Sequence, residues 1–245
     1  MPSAGGGVAT LLKDRQVVIV GGTGSIGLAT AELLTCQGAR VAMTGRDEEK
    51  LAAAAKRIAG LATSRCEVTD EARIRDTFAR FGSIDHVIVL AGSAAGGGVL
   101  ETPVARLRFV MEERIWGAVH VIQAAAPKMR HGSITLTSGL FADRPPQSGA
   151  ALLAAALAGV EGLARALARE LAPLRVNAVS FGPVRSTRHN GMGDKQEAYY
   201  RRVGGLLPVG RVGEAREAAQ AILFALSNEY LTGEVIRLNG GAGIA

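Results

Sequence analysis

The sequence predicts an α/β fold: a doubly wound parallel sheet (Rossmann fold) of about seven strands with helices on both faces. Three observations carry this. Apolar, β-branched runs alternate with helical patterns from end to end. No linker or low-complexity tract divides the 245 residues, a length that suits one large α/β domain. A glycine-rich loop follows the first apolar run and opens the next helical pattern. Strict alternation implies right-handed crossovers, with ligands bound at the carboxyl ends of the strands.

Gln16–Val20 is a continuous β-branched run, as expected for a strand buried on both faces. A helix then runs from the glycine loop to about Gln37, followed by a strand at Arg40–Met43. Asp47–Ala59 is amphipathic and stops at Gly60. Thr63–Val68 reads as a third strand, with Asp70 placed to cap the next helix. His86–Leu90 is a fourth strand, leading into the glycine-rich 91–98. A long helical pattern covers 104–129, and Ser133–Thr137 is a fifth strand. Ser148 can cap a further helix that stops at Pro173. Arg175–Val179 is a sixth strand, and 181–214 is the longest irregular stretch. A helix at Ala215–Ser227 and a strand at Glu234–Leu238 follow. Residues 1–13 read as a loose N-terminal leader, and 14–245 as the single domain.

The net charge of +6 is spread along the chain, with no basic run and no basic-aromatic cluster, so nucleic acid is not an expected partner. That positive field still favours an anionic cofactor. The Ala-rich run 150–158 is too short to span a membrane, and no membrane partner is expected. Cys36 and Cys66 lie in different elements without metal or disulfide spacing, which predicts a reducing, cytoplasmic setting. No metal constellation is evident.

The loop Gly21-Gly22-Thr23-Gly24-Ser25-Ile26-Gly27 contains G-x-G-x-x-G directly after a buried strand. In that setting the glycines let backbone approach a pyrophosphate at a helix N-terminus. The second strand ends in Thr44-Gly45-Arg46, with no carboxylate at its end to hold a ribose 2′-hydroxyl. Arg46 can instead pair with a 2′-phosphate, which favours NADP(H); alternatively it caps the next helix or pairs with Glu49.

The chain resembles the short-chain dehydrogenase/reductase family over essentially its whole length. The matching pieces are the glycine loop, Thr44-Gly45-Arg46, Glu67-Val68-Thr69-Asp70 and Leu90-Ala91-Gly92. Arg175-Val176-Asn177-Ala178-Val179, Gly182-Pro183-Val184, Leu231-Thr232-Gly233 and Gly240-Gly241 continue the series. The resemblance implies that Glu67 and Val68 border the adenine and that Ala91 and Gly92 line the cofactor ribose. It also implies that Gly182 and Val184 to Thr187, including Ser186, run past the nicotinamide. A substrate lid is implied at 185–213, and a homodimer or homotetramer formed through the two long helices.

The family's active site does not carry over. Its members work with Asn, Ser, Tyr and Lys, the Tyr acting as general acid. Here no tyrosine precedes Tyr199, and no lysine lies between Lys128 and Lys195. Alignment through Gly162-Leu163 places Leu153 at the Tyr position and Leu157 at the Lys position, both facing the substrate pocket. Arg114 falls at the Asn position, and Ser138 or Gly139 at the Ser position. Ser138 can polarise a substrate or cap its loop. Arg114 can bring a cation toward the lost lysine or pair with Glu112 or Glu113. Tyr199 and Tyr200 can reach the substrate or pack the lid. Asp143 and Arg144 read as a surface ion pair, and His86 and His120 as structural histidines.

The expectation is an NADP(H)-dependent oxidoreductase with a non-standard site, acting on a small molecule such as an iminium that needs no proton donor. A non-catalytic NADP(H)-binding sensor or partner subunit, and a non-redox lyase or isomerase reusing the pocket, are the alternatives.

Overall fold

The computed structural model describes residues 11–93 and 96–245, with backbone only for 188–190. Seven strands form one parallel sheet: β1 Gln16–Val20, β2 Arg40–Gly45, β3 Ala62–Arg65, β4 His86–Val89, β5 Ser133–Gly139, β6 Arg175–Phe181 and β7 Val235–Leu238. Their order is β3-β2-β1-β4-β5-β6-β7. The chain winds outward from β1 in one direction, then returns beside β1 with β4 and winds in the other. The carboxyl ends of β1 and β4 therefore flank the switch point where such sheets bind ligands.

The β-branched run of β1 explains its place at the centre. Val17, Val18, Ile19 and Val20 are completely buried. Val18 and Val20 pack on one face with Ile74 and Phe78 of α3 (Glu71–Ala79), Val121 and Ile122 of α5 (Gly117–Ala125), and Val160 and Ala164 of α6 (Ala151–Glu170). Val17 and Ile19 pack on the other with Leu34 of α1 (Ser25–Cys36), Leu51 of α2 (Glu48–Arg57) and Ile222 of α8 (Ala215–Ser227). Each such side chain stabilises the fold by about 1.5–3 kcal/mol on burial.

Element boundaries differ from the sequence expectations where local chemistry intervenes. Asp47 and Asp70 cap α2 and α3, accepting from Lys50 N and Arg73 N. Ser148 caps nothing: α6 begins at Ala151, and its N-cap Ala150 offers no side-chain bond. The third strand runs over Ala62–Arg65, not Thr63–Val68, because Cys66 N already bonds Gly45 O as the chain leaves the sheet edge. The single helix expected over 104–129 is α4 (Val104–Met111), a π-helical turn (Glu112–Trp116), α5 and a 3₁₀ turn (Ala126–Lys128). The irregular 181–214 contains a 3₁₀ segment (Thr187–Met192) and α7 (Lys195–Gly204). Of the expected leader, residues 1–10 lie outside the described range, but Leu12 is buried and its N–H bonds Gln37 O. The ordered fold therefore begins before residue 14.

By length and composition α6 alone suffices to cross a membrane, among the described residues. Here it packs on β5 and β6 and buries Leu153, Ala156, Leu157, Val160 and Ala164.

Candidate functional site

Each glycine of the first loop has a separate physical reason. Gly21 has φ +80°, and a Cβ there would stand 2.6 Å from Ala91 Cα, so only glycine lets β1 turn against the end of β4. A Cβ on Gly22 would meet the Met43 side chain at 2.7 Å, and one on Gly27 would stand 2.1 Å from Gly22 O. These three close the turn onto the sheet and onto α1. Gly24 differs: a Cβ there meets no protein atom within 4 Å. Gly24 is the N-cap of α1 and supplies no side-chain bond, so the helix presents first-turn N–H groups beside open space. That cradle fits a pyrophosphate, stabilised by the positive end of the helix dipole.

The cradle opens into a cleft of about 1230 Å³ along the carboxyl edge of the sheet. Gly21, Thr23, Gly24, Ser25, Ile26, Gly27, Arg46, Gly92, Gly182, Val184, Ser186 and Thr187 all line it. The other residues expected to bind the cofactor lie behind that lining. Gly22 and Ala91 support the turn. Val68 is buried, and its carbonyl accepts from or faces His120 Nδ1 at 3.0 Å. Glu67 is engaged by Arg46.

Arg46 stands at the adenosine corner between two carboxylates, 3.5 Å from Glu67 and 3.3 Å from Glu113, and has no ion pair with Glu49. Glu113 is buried and accepts from Ser93 N at 2.8 Å, which fixes it. The Arg46 side chain is 59% exposed, so it can reach toward a phosphate; Glu113 then keeps its hydrogen bonds from Ser93 N and Oγ. Lys50 and Arg57 add cations to the same wall.

At the other end the floor is hydrocarbon. Leu153 and Leu157 are buried, line the cleft and pack with Val110, Ala150 and Ala156. Their spacing of one helical turn puts both on one face of α6. Arg114 projects from the π-helical turn, lies over Gly92, and donates to Gly92 O at 3.3 Å and Ser93 O at 2.7 Å. Those bonds hold its guanidinium against the loop that follows β4.

The floor's two hydroxyls direct their protons inward. Thr137 Oγ1 donates to Val89 O at 2.8 Å. Ser138 Oγ lies 3.1 Å from Leu157 O and 2.9 Å from Glu161 Oε1, and its single proton goes to one of these acceptors. Ser138 therefore directs its proton into the protein, which is nearer the second of its two expected roles, polarising a substrate or capping its loop.

Behind Ser138 lies a network that the motif comparison missed. Glu161 is buried in α6, and its second oxygen pairs with Arg237 of β7 at 3.2 Å. Arg237 also pairs with Asp143 at 2.6 Å and holds that carboxyl below its ordinary pKa. Asp143 and Arg144 are thus not an ion pair with each other; Arg144 bonds Ala245 O. The available signal was Glu161 itself, a lone carboxylate one helical turn beyond Leu157 in an apolar stretch.

The lid segment is anchored at both ends. Val184 bridges to Gly213, and Arg185 pairs with Glu214 at 3.1 Å. Thr187 N donates to Ser25 Oγ at 2.7 Å, tying the lid to the glycine loop. Tyr200 is buried: its hydroxyl accepts from Ser186 N at 3.1 Å, and Arg185 stacks 4.5 Å from its ring centre. It packs the lid and does not line the cleft. Tyr199 does line it, with Tyr200 and Arg202 beside its ring.

A protein-family profile described as enoyl-(acyl carrier protein) reductase matches residues 21–243. Carbonyl reductase family member 4 of Danio rerio is 30% identical over 238 residues, covering 93% of this chain and 98% of the relative. A small-chain dehydrogenase solved in complex with NADPH is 33% identical with a TM-score of 0.81, covering 95% of this chain and 100% of that one. A short-chain oxidoreductase from Pseudomonas aeruginosa PAO1, described as containing an atypical catalytic center, is 30% identical with a TM-score of 0.86, covering 94% and 98%. Sheet order, glycine cradle and whole-length similarity agree, and this chain belongs to the short-chain dehydrogenase/reductase family.

Proposed function

We propose that this chain is an NADP(H)-dependent reductase of small molecules whose acceptor carbon is already electron-poor, and that it reduces simple ketones poorly. One observation carries the reading: a single cleft joins the glycine cradle and Arg46 to a floor of Leu153 and Leu157. Bound in the cradle, a reduced nicotinamide supplies hydride. Reduction of an unactivated carbonyl builds an alkoxide, which requires a proton donor or a strong dipole at the oxygen. The two leucines offer neither, and Ser138 and Thr137 donate into the protein. An iminium accepts hydride without a simultaneous proton, so an apolar floor suits it. The NADPH complex of one structural relative supports the cofactor half of this reading.

NADPH absorbance followed with a panel of cyclic iminium ions and matched ketones tests the proposal. Oxidation of NADPH with the iminium ions alone is the expected result. Tight binding without turnover would favour a binding protein, and substrate conversion without NADPH oxidation would favour a lyase or isomerase.

Assembly through the two long helices belongs to the same proposal. A groove of about 390 Å³ between α5 and α6, lined by Val119, Ile122, Leu163 and Leu167, gives a second copy apolar surface to cover.

A further inference from the structure

The hydrogen-bond polarity of the floor is inverted relative to what a carbonyl needs. Ser138 Oγ directs its proton toward Glu161 or Leu157 O, so what it can offer the cleft is lone pairs. Thr137 Oγ1 is oriented the same way by Val89 O. The charge behind Ser138 has the matching sign: Glu161 and Asp143 are two carboxylates sharing the one guanidinium of Arg237. Arg114, a cation in the lining, donates to Gly92 O and Ser93 O. A group that accepts hydrogen bonds is badly served here. A group that donates one, and carries positive charge while doing so, is well served.

We propose that Ser138 Oγ, oriented by Glu161, accepts a hydrogen bond from the N–H of a protonated imine and makes this the substrate class of the cleft. The proposal deepens the activated-acceptor reading and rests on it. In the reaction, hydride from the reduced nicotinamide forms a C–H bond at the iminium carbon. The C=N π pair moves onto nitrogen, giving a neutral secondary amine and oxidised nicotinamide, and no proton is transferred. Ser138 holds the N–H throughout. Glu161 does not touch substrate; it is a positioning residue that decides which way the Ser138 proton points.

The test compares 3,4-dihydroisoquinolinium, which has an N–H, with its N-methyl analogue, which has none. The NADPH-loaded protein is expected to show kcat/KM for the N–H ion at least about tenfold above the N-methyl ion, the worth of one charge-assisted hydrogen bond. Ser138→Ala removes that preference. Glu161→Gln supplies the sharper readout. Its amide oxygen turns to Arg237 and its NH₂ group donates to Ser138 Oγ, whose proton stays on Leu157 O, so the hydroxyl loses the carboxylate that makes it a strong acceptor. The variant is expected to lower kcat/KM for the N–H ion more than for the N-methyl ion, a split that simple loss of stability does not produce. Calorimetric binding of tetrahydroisoquinolinium and its quaternary N,N-dimethyl form, neither of which is reduced and only the first of which has an N–H, reads the same hydrogen bond without turnover. Equal turnover of the two iminium ions, unchanged in Ser138→Ala, would overturn the acceptor role while leaving the activated-acceptor reading intact. If neither ion turns over, the activated-acceptor reading fails, and the acceptor role stands only if Ser138→Ala weakens binding of the N–H ammonium selectively.

Discussion

The two ends of the cleft follow different rules. At the end with the glycine loop the lining is built mostly from backbone: a glycine cradle and a helix N-terminus, joined by one exposed arginine. At the other end the lining is built from side chains, among them Leu153, Leu157 and Arg114. Backbone recognition constrains the sequence tightly, since a Cβ on Gly27 would meet Gly22 O at 2.1 Å. The floor carries no such backbone constraint, and its side chains are free to follow the chemistry. Binding and chemistry are therefore separable here, and variants at each end should show it.

The largest effect is expected within the glycine loop. Gly27→Ala drives a methyl into backbone, and it should lower the melting temperature by about 5 °C or more and abolish NADPH binding. Gly24→Ala is its counterpart. The added methyl meets no protein atom and φ is −83°, so melting of the unliganded protein should not change. NADPH affinity should fall about tenfold or more, because the methyl occupies the phosphate cradle. Thermal melts with and without NADPH separate the two. Equal NADPH affinity in Gly24→Ala and the parent would break the assignment of the cradle.

A smaller effect is expected at Arg46. Arg46→Ala should weaken NADPH about tenfold and leave NADH nearly unchanged, since only the 2′-phosphate needs the guanidinium. Parallel titrations decide it, and NADH binding as tightly as NADPH in the parent would contradict the preference.

How much of this was legible follows the same division. The alternating pattern set the parallel sheet, and β1 announced its central place through four consecutive buried β-branched residues. The cradle was legible because glycine is demanded by sterics within a few residues of sequence. Leu153 and Leu157 were legible as departures, and they do face the cleft. The direction of the Ser138 proton was not legible, because it depends on Glu161, Arg237 and Asp143, which meet only through the packing of α6 and β7. The π-helical turn was equally hidden, since one extra residue per turn leaves the apolar periodicity of 104–129 almost intact. Tyr200 looked available because it sits in the lid, yet its hydroxyl serves Ser186.

A further effect, on stability and not on binding, lies away from both ends. His86 at the start of β4 is buried against Ser133, and burial pushes its pKa down from 6.5 to about 4. The folded state therefore resists a proton that the unfolded chain takes up. Its contribution is full above pH 6.5 and is lost as pH falls toward 4. That amounts to at most about 3 kcal/mol. The carboxylates depressed by arginine partners act lower: Glu217, held at about 2 by Arg211, loses its share only as pH falls from 4.5 toward that value. Urea denaturation between pH 7 and 4 should show falling stability, with a flatter slope in His86→Gln.

The central claim is that hydrocarbon at the floor restricts reduction to acceptors that need no proton. Its most direct measurement is the ratio of kcat/KM for 3,4-dihydroisoquinolinium to that for a matched cyclic ketone. It is taken in the parent and in a variant combining Leu153→Tyr, Leu157→Lys and Arg114→Asn. The account predicts a high ratio in the parent that collapses by about 10²–10⁴ in the variant, through a rise in ketone turnover, because a general acid is typically worth that much. Brisk ketone reduction by the parent, with a ratio near one, would contradict it and would make Tyr199 the first proton donor to examine.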